Sequence, residues 1–427
     1  MLEFKSMEFL GDEPCAQKKN NSVRSYYKAL VKNLVRTDGP ISRIALNKLT
    51  GMRLASVTDV TKELLKEDFI KEIGFECSKR GRRKVLLDIN RDAGRVVTLD
   101  FNSNRIIGLG ADLKLGISYR SRRIIPSNSD KDKIIQIMKE ILYEIIESPP
   151  VKIAPVLGIG VADPGIVDEN TGISILATQM KGWENVPIKD VMESEFGCPT
   201  FLESDTRCRL IAEKHLGAGK MKNDILMVEL SSGIGAGIMS EGRLFRGSRG
   251  SAGELGHMMI LENGPYCNCG SRGCLEAIAS SKAIIRKLQE AIKSGTTSSL
   301  SKVCRGDISK IDINMISQVT EDGDKLSLQI IEEAGRFIGE AIANSINLLN
   351  PEIVILTGDL LAFGDYILNP VRGMVRRQAL SYNTKDVCIV VIAEVGEEAA
   401  AIGMAAVVLD KVFCIPELRH QREYGTR

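Results

Sequence analysis

The most specific pattern in this sequence is a set of four potential metal-ligand side chains in a short stretch. Cys267, Cys269 and Cys274 fall within eight residues, and His257 shortly precedes them. The whole chain has three histidines, so finding one beside a cysteine group is informative. One imidazole and three thiolates suit tetrahedral Zn²⁺, and four protein ligands are typical of a closed structural site. The alternative is a group of reduced thiols beside an unrelated histidine.

Length and charge distribution predict more than one domain. A chain of 427 residues exceeds the size of one ordinary hydrophobic core. The net charge is only +2, yet residues 18–88 contain 17 Lys and Arg against eight Asp and Glu. A basic N-terminal segment followed by a mildly acidic remainder is typical of a protein in which one domain binds phosphates. A solvated basic face would have a similar composition.

The compartment is predicted from two further patterns. No uninterrupted run of about 18 apolar residues is present, so we expect no membrane span. The N-terminal stretch is acidic and lacks the basic and then apolar order of a signal peptide. We therefore expect a cytoplasmic protein, and in that reducing compartment clustered cysteines favour metal binding over disulfides.

The basic segment has the periodicity of three short helices, over 26–35, 42–49 and 54–65. Ser42 fits the N-cap of the second helix, and Ile41, Ala45 and Leu49 would form its inward face. Gly51 lies at the turn before the third helix. Three short helices with such a turn match the helix-turn-helix plan, in which the third helix reads base edges in the major groove.

Two predicted strands, 69–73 and 84–89, follow the third helix and form a hairpin with a basic tip suited to phosphates or the minor groove. Helices, turn and hairpin together predict a winged helix-turn-helix that binds double-stranded DNA. The alternative is a three-helix protein-interaction module with a solvated hairpin. The candidate DNA contacts are Ser42, Arg53, Ser56, Thr58, Lys62, Arg80, Arg82 and Arg83.

The remainder of the chain reads as an α/β fold. Strands are predicted at 96–100, 106–112 and 156–161, an amphipathic helix at 134–146, and a long helix at 326–349 that Asn350 and Pro351 end. Alternation of strands and helices favours sheets with crossover connections. Ligands in such folds bind at the carboxyl ends of strands.

These motifs resemble those of the ROK family of repressors, open reading frames and sugar kinases. The matching stretches are PISRIALNKLTG, GRRKVLLDIN, GIGVADPGIVDENTG, GWENVPI, FLESDTR, SSGIGAGI, GSAGELGHM, CNCGSRGCLEAIAS and LLNPEIVILTGDL. The resemblance implies a winged helix-turn-helix followed by a two-lobed, actin-like (ribonuclease-H-like) sugar-kinase fold. The implied division is a tail at 1–20, the DNA-binding domain at 21–90, a first lobe at 91–205, a second lobe with the zinc module at 206–414, and a tail at 415–427.

The resemblance also implies a sugar site. The positions that match the family's sugar contacts are Ser204, Asp205, Glu254, His257 and Glu276. In the kinases of the family, the residue matching Asp205 is the catalytic base that deprotonates the sugar hydroxyl. Ser204 stands where the family has an asparagine, so the sugar or the strength of its binding differs here.

The nucleotide side departs from the family pattern. The first phosphate loop of the kinases reads Asp-x-Gly-Gly-Thr, whereas this chain keeps only Asp100 of it. The second loop keeps its small residues, and one glycine of the third remains. The implied nucleotide positions are Asp100, Ser232, Gly233, Gly235 and Gly358. The missing glycines and threonine argue against the use of ATP and Mg²⁺.

Three hypotheses follow. The leading one is a transcriptional repressor of carbohydrate-utilisation genes, as a homodimer or a higher homo-oligomer, with operator DNA and a small sugar effector as its partners. The second is an ATP-dependent, glucokinase-like sugar kinase with a DNA-binding extension. The third is a regulator controlled by a protein partner, with a vestigial sugar pocket.

Overall fold

The computed structural model describes residues 23–76, 83–126, 129–177, 179–384 and 389–415. The tails expected at 1–20 and 415–427 lie outside these residues, apart from residue 415. No helix in the described part of the chain is long and apolar enough to cross a membrane.

The N-terminal domain has the predicted winged helix-turn-helix order. Its elements are α1 (Val23–Asp38), β1 (Ile41–Ser42), α2 (Arg43–Thr50), α3 (Leu54–Lys66), β2 (Ile70–Glu76) and β3 (Lys84–Ile89). The strands form one sheet in the order β1-β3-β2. Gly51 ends α2 in the left-handed conformation with φ 68°, which is the turn chemistry that the sequence indicates. The inward placement of Leu49 was wrong, because its side chain is 60% exposed and Leu46 fills the core instead.

The first lobe is built on a five-stranded sheet in the order β11-β7-β4-β5-β6, and a small sheet β10-β9-β8 covers it. The strands are β4 (Arg95–Phe101), β5 (Arg105–Asp112), β6 (Ile117–Ile124), β7 (Val156–Asp163), β8 (Ile166–Asp168), β9 (Ile173–Leu176), β10 (Glu184–Val186) and β11 (Thr200–Ser204). The helices are α4 (Lys131–Glu147), α5 (Pro149–Lys152), α6 (Ile188–Phe196) and α7 (Asp205–Leu216).

The second lobe repeats the pattern, with a sheet in the order β14-β13-β12-β15-β16. Its strands are β12 (Ile225–Leu230), β13 (Ile234–Ser240), β14 (Arg243–Leu244), β15 (Ile353–Thr357) and β16 (Ile389–Ile392). The helices after β14 are α8 (Leu275–Ala279), α9 (Ser281–Lys293), α10 (Leu300–Val303), α11 (Ile313–Glu321), α12 (Lys325–Leu349), α13 (Asp365–Gln378), α14 (Ser381–Thr384) and α15 (Ala399–Val412). Both five-stranded sheets consist of an antiparallel meander followed by two parallel strands. The two-lobed actin-like fold class is therefore confirmed.

The last helix differs from the predicted division of the lobes. α15 falls in the range assigned to the second lobe, but it packs on α7 and on β4 and β7 of the first. The Thr98 hydroxyl donates a hydrogen bond to the Ala401 carbonyl at 2.9 Å. Gly403 lies so close to α7 that a Cβ there would meet the Cys208 carbonyl oxygen at 1.7 Å. The small and apolar residues of α15 are what allow this approach.

α15 also carries the contact between the sensor and the N-terminal domain. Beyond its end, the Phe413 ring packs edge-on against Phe69, with centroids 5.7 Å apart. Lys32 of α1 lies over the Phe69 ring at 3.4 Å, and Arg36 pairs with Asp410 at 2.5 Å. Buried residues of the winged helix and of α15 consequently form one continuous apolar cluster.

Candidate functional site

The four metal-ligand residues predicted from the sequence come together in the structure. The ligand atoms of His257, Cys267, Cys269 and Cys274 all lie within 4.8 Å of one another. The Cys267 Sγ lies 3.7 Å from His257 Nδ1, and the Cys269 and Cys274 sulfurs are 3.7 Å apart. Three thiolates and one imidazole at this spacing are the donor set that tetrahedral Zn²⁺ prefers.

Local backbone bonds build this cluster. The Cys267 amide donates to the Ser271 carbonyl at 2.8 Å, and the Gly270 amide donates back to the Cys267 carbonyl at 3.0 Å, closing a tight turn around Cys269. Cys274 is fully buried at the N-cap of α8. The cluster therefore fixes the loop before α8, which leads directly to Glu276.

Glu254, His257 and Glu276 lie in the second lobe, and Glu276 borders Gln179 of the first lobe near Gly233. Gly253 has φ 102°, and a Cβ there would lie 1.9 Å from the Ala236 carbonyl oxygen, so only glycine lets this segment approach β13. His257 Nε2 lies 3.8 Å from Glu254 Oε2, on the ring edge opposite the sulfurs. Glu276 accepts a hydrogen bond from the Ile234 amide at 3.1 Å. Carboxylates and an imidazole held in this way can bind vicinal hydroxyls.

Ser204 and Asp205 lie where β11 ends and α7 begins, at the carboxyl edge of the first sheet. The Thr206 amide donates to Asp205 Oδ1 at 2.6 Å. Burial and the nearby Glu229 carboxylate raise the pKa of Asp205 well above its ordinary value, although Arg209 acts in the opposite direction. The catalytic or sugar-binding role that the family resemblance implies for Asp205 stays a prediction.

Gln179 is a site residue that sequence reasoning missed. It lies after β9 in the first lobe, and its side-chain oxygen accepts a hydrogen bond from the Ser232 hydroxyl of the second lobe. Its amide nitrogen would lie 2.6 Å from a Cβ on Gly233, and Glu276 borders the same point. The available signal was its place after the carboxyl end of a strand.

An ion network that sequence reasoning also missed lies between the two sheets. Arg209 of α7 lies 3.8 Å from Asp100 of the first sheet and 3.6 Å from Glu229 of the second. Arg105 pairs with Asp100 at 3.1 Å. Burial alone would lower the pKa of Arg209, but the carboxylates of Glu229, Asp100 and Asp205 raise it. The positive charges of Arg105 and Arg209 therefore offset the nearby carboxylates at the position where the family resemblance implies a nucleotide.

The structure gives one of the retained nucleotide-side glycines, Gly358, a packing reason. Gly358 has φ 110°, and a Cβ there would meet the Leu230 carbonyl oxygen at 2.1 Å. Gly235 lies within β13 and faces the Thr206 hydroxyl at 3.5 Å. Ser232 and Gly233 form the turn before β13 and contact Gln179. Close backbone packing accounts for Gly358, whereas a Cβ on Gly235 would make only ordinary contact and one on Gly233 would meet the ends of the Gln179 and Glu276 side chains.

The candidate DNA contacts fall into two groups. Arg53, Ser56 and Lys62 are exposed on or beside α3, and Arg83 is exposed at the start of the hairpin's second strand. Thr58 is half-buried, and its hydroxyl donates to the Leu54 carbonyl at 2.8 Å. Arg80 and Arg82 lie outside the described residues.

Ser42 does not fit its expected role as a DNA contact. It is 5% exposed, and its hydroxyl accepts a hydrogen bond from the Ala45 amide as the N-cap of α2. A side chain committed to capping and shielded by the domain cannot reach a phosphate. The sequence pattern therefore identified the cap correctly but misassigned the residue to the DNA interface.

Asp163 is a buried carboxyl beside the site. It pairs in register with Ser204, it is fully buried, and its Oδ2 atom has no hydrogen-bond partner in the described structure. Burial raises the pKa of Asp163 to about 6, while the Ser174 hydroxyl and the Gly165 amide lower it less. Burial consequently makes the ionised form of Asp163 less favourable in the folded chain than in the unfolded chain.

We expect Asp163→Asn to stabilise the chain increasingly as the pH rises. With a folded pKa above the unfolded value, the stability contributed by Asp163 is full below about pH 4 and is lost as the pH rises through about 6. The lost part amounts to roughly 2–3 kcal/mol at one pKa unit per 1.4 kcal/mol. Thermal midpoints of both proteins at pH 5 and pH 8 measure this, and a gap that stays constant would contradict it.

Two lobes of this topology, with a Cys/His cluster in the second, define a protein of the sugar-kinase structural class joined to a winged helix. The ROK family model matches residues 106–411, and the chain belongs to the ROK family. The xylose repressor of Bacillus subtilis strain 168 is 31% identical over 388 residues, which cover 90% of this chain and 94% of that protein.

Two solved structures are similar. A ROK family transcriptional regulator, a homolog of the E. coli MLC protein, gives a TM-score of 0.77 at 28% identity, covering 92% of this chain and 97% of that one. A ROK family glucokinase from Streptomyces griseus, in complex with glucose and AMPPNP, gives a TM-score of 0.64 at 25% identity, covering 74% of this chain and 99% of that one. The regulators thus match nearly the whole chain, and the kinase matches a smaller share.

Proposed function

We propose that this protein is a transcriptional repressor that releases its operator when a sugar binds between the lobes. The observation that carries the proposal is the joining of a basic winged helix to a sugar-kinase-like sensor in a chain that aligns over 90% of its length with a xylose repressor. A ligand shifts such an equilibrium only if it binds one arrangement of the domains better than the other.

The site supports a sugar effector more than a nucleotide. Glu254, His257 and Glu276 offer acceptors for hydroxyl groups, whereas the ion pairs of Asp100 with Arg105 and Arg209 occupy the phosphate side. We propose Zn²⁺ at the Cys/His centre, where it would hold His257 and the loop before Glu276 in place. Xylose or a related sugar is the effector that the repressor relatives suggest.

The N-terminal domain supports operator DNA as the partner. Lys48, Arg53, Lys62 and Lys66 of α2 and α3 have no carboxylate partner among the described residues, which leaves their charges available to phosphates. A homodimer or higher homo-oligomer would place two such helices on a pseudo-palindromic site. This function belongs in the cytoplasm.

The proposal is tested by fluorescence anisotropy of the full chain on DNA from upstream of its own gene, at fixed salt. We expect one sugar from a panel of pentoses, hexoses and N-acetylated sugars to weaken operator binding at least tenfold. Glu254→Gln should reduce that response, because it removes the charge and replaces one acceptor oxygen of an exposed carboxylate by an amide donor, and the exposed Glu262→Gln is the matched control. Operator binding that no sugar alters would overturn the proposed control by sugar.

A further inference from the structure

The solvent-facing stripe of α3 contains one acidic residue. Val57, Val60, Thr61 and Leu64 turn into the core, and at 3.6 residues per turn the opposite side of the helix presents Ala55, Asp59, Lys62 and Lys66. Arg53 lies exposed at the N-cap of the same helix. Asp59 is therefore at the centre of the surface that the helix-turn-helix plan directs into the major groove.

Asp59 differs from the glutamates around it. Glu63 and Glu67 both pair with Lys28 at 2.6 Å, on the side of α3 that faces α1. In the hairpin, Glu72 pairs with Arg43 and Glu76 with Lys84, both at 2.9 Å. Asp59 is exposed, and in the described part of the chain no cation or hydrogen-bond donor contacts its carboxylate. It therefore contributes no visible bond to the fold of its own domain.

An unpaired carboxylate on a DNA-facing helix weakens DNA binding unless it accepts a hydrogen bond from a base. Phosphates repel it, and a carboxylate only accepts hydrogen bonds. In the major groove, guanine and thymine present acceptors, and adenine presents its N7 acceptor beside the N6 amino group. Cytosine presents the N4 amino group as a donor without an adjacent acceptor of its own. A carboxylate at this position thus fits cytosine better than any other base.

We propose that Asp59 is a specificity-determining residue that accepts a hydrogen bond from the N4 amino group of a cytosine in each operator half-site. The inference rests on the proposed DNA-binding function and deepens it. It assigns Asp59 the discrimination between base pairs, while Arg53, Lys62 and Lys66 supply attraction to the backbone. The Asp59 charge itself lowers the affinity for every other sequence.

The test is selection of duplexes from a randomised library by the full-length protein, repeated with Asp59→Asn and Asp59→Ala. The wild type should select a C·G pair at one position of each half-site, and changing that pair should weaken binding about tenfold, within the usual range for one mismatched pair. Asp59→Asn should shift the preference to adenine, because an amide pairs with both N6 and N7. Asp59→Ala should select no base there and should bind non-specific DNA more tightly.

Asp68→Asn is the matched control, since it removes the same charge from an exposed turn of the same domain that lies off the stripe, at φ 54°, which asparagine tolerates. It should leave the selected sequence unchanged. If Asp59→Ala binds all DNA more tightly but selects the wild-type sequence, Asp59 is only a solvated charge and the inference is overturned. If the wild type itself selects no sequence, the proposed function fails first, and with it this inference.

Discussion

Replacing Arg209 with alanine is expected to destabilise the chain by about 3–5 kcal/mol, the usual cost of removing one partner from a buried ion pair. Arg209 is 8% exposed, and it lies between Asp100, which is 1% exposed, and Glu229 of the other sheet. Without it, Asp100, Asp205 and Glu229 would face one another across the lobes with only Arg105 nearby. Urea titration of the full chain measures the loss.

Two comparisons make this expectation specific to charge. Arg209→Lys keeps a cation and should lose less, and Arg336→Ala, which breaks an exposed pair with Glu332 at 3.9 Å, should change little. Because loss of Arg209 would further raise the already raised folded pKa values of Asp100 and Asp205, the stability that these two carboxyls contribute is lost as the pH rises. The deficit of Arg209→Ala should therefore be smaller at pH 5 than at pH 8. Equal stability of variant and wild type would show that these carboxyls are not charged in the fold.

Replacing Cys274 with serine is expected to remove the bound metal and abolish the response to sugar. The wild type purified with zinc should contain about one Zn²⁺ per chain, and the variant less than a tenth of that, because structural zinc requires its thiolates. The loop before α8 would then lose its anchor, and with it the positions of His257 and Glu276. Elemental analysis and the thermal midpoint measure these effects, and sugar titration of the operator complex measures the response.

Cys304→Ser is the matched control for the metal. Cys304 is a buried cysteine of the same lobe, outside the cluster, and its thiol donates only a weak bond to the Ser301 carbonyl at 3.7 Å, which a hydroxyl can replace. It should keep the metal and the sugar response. Full metal content in Cys274→Ser, or none in the wild type, would contradict a zinc site.

Local patterns in the sequence predicted local structure well. The cap of α2 at Ser42, the turn at Gly51 and the end of α12 at Asn350, where φ is 46°, each depend on a few adjacent residues. The grouping of His257 with the cysteines also follows from short spacing, since the four ligands share one loop system.

Features that depend on residues distant in sequence could not be predicted in this way. In the sequence, Arg209 looks like an ordinary helix residue. Its ion pairs are visible only in the fold, where the two sheets place Asp100 and Glu229 beside it. Gln179 is recognised as a site residue only through its hydrogen bond with Ser232 of the other lobe. The placement of α15 on the first lobe depends on a complementary surface, and no periodicity in α15 itself identifies its partner. Tertiary packing decided all three cases.

The packing of the winged helix against α15 has a consequence for folding during synthesis. Arg36 and its partner Asp410 are separated by 374 positions, so the winged helix is completed by residues that are made long after it. Domains usually fold in order as they leave the ribosome. Here Phe69 of the nascent N-terminal domain lacks its contact with the Phe413 ring until Phe413 has been synthesised. We consequently expect the N-terminal domain of a chain that ends before α15 to be less stable, because it would lack part of its apolar packing.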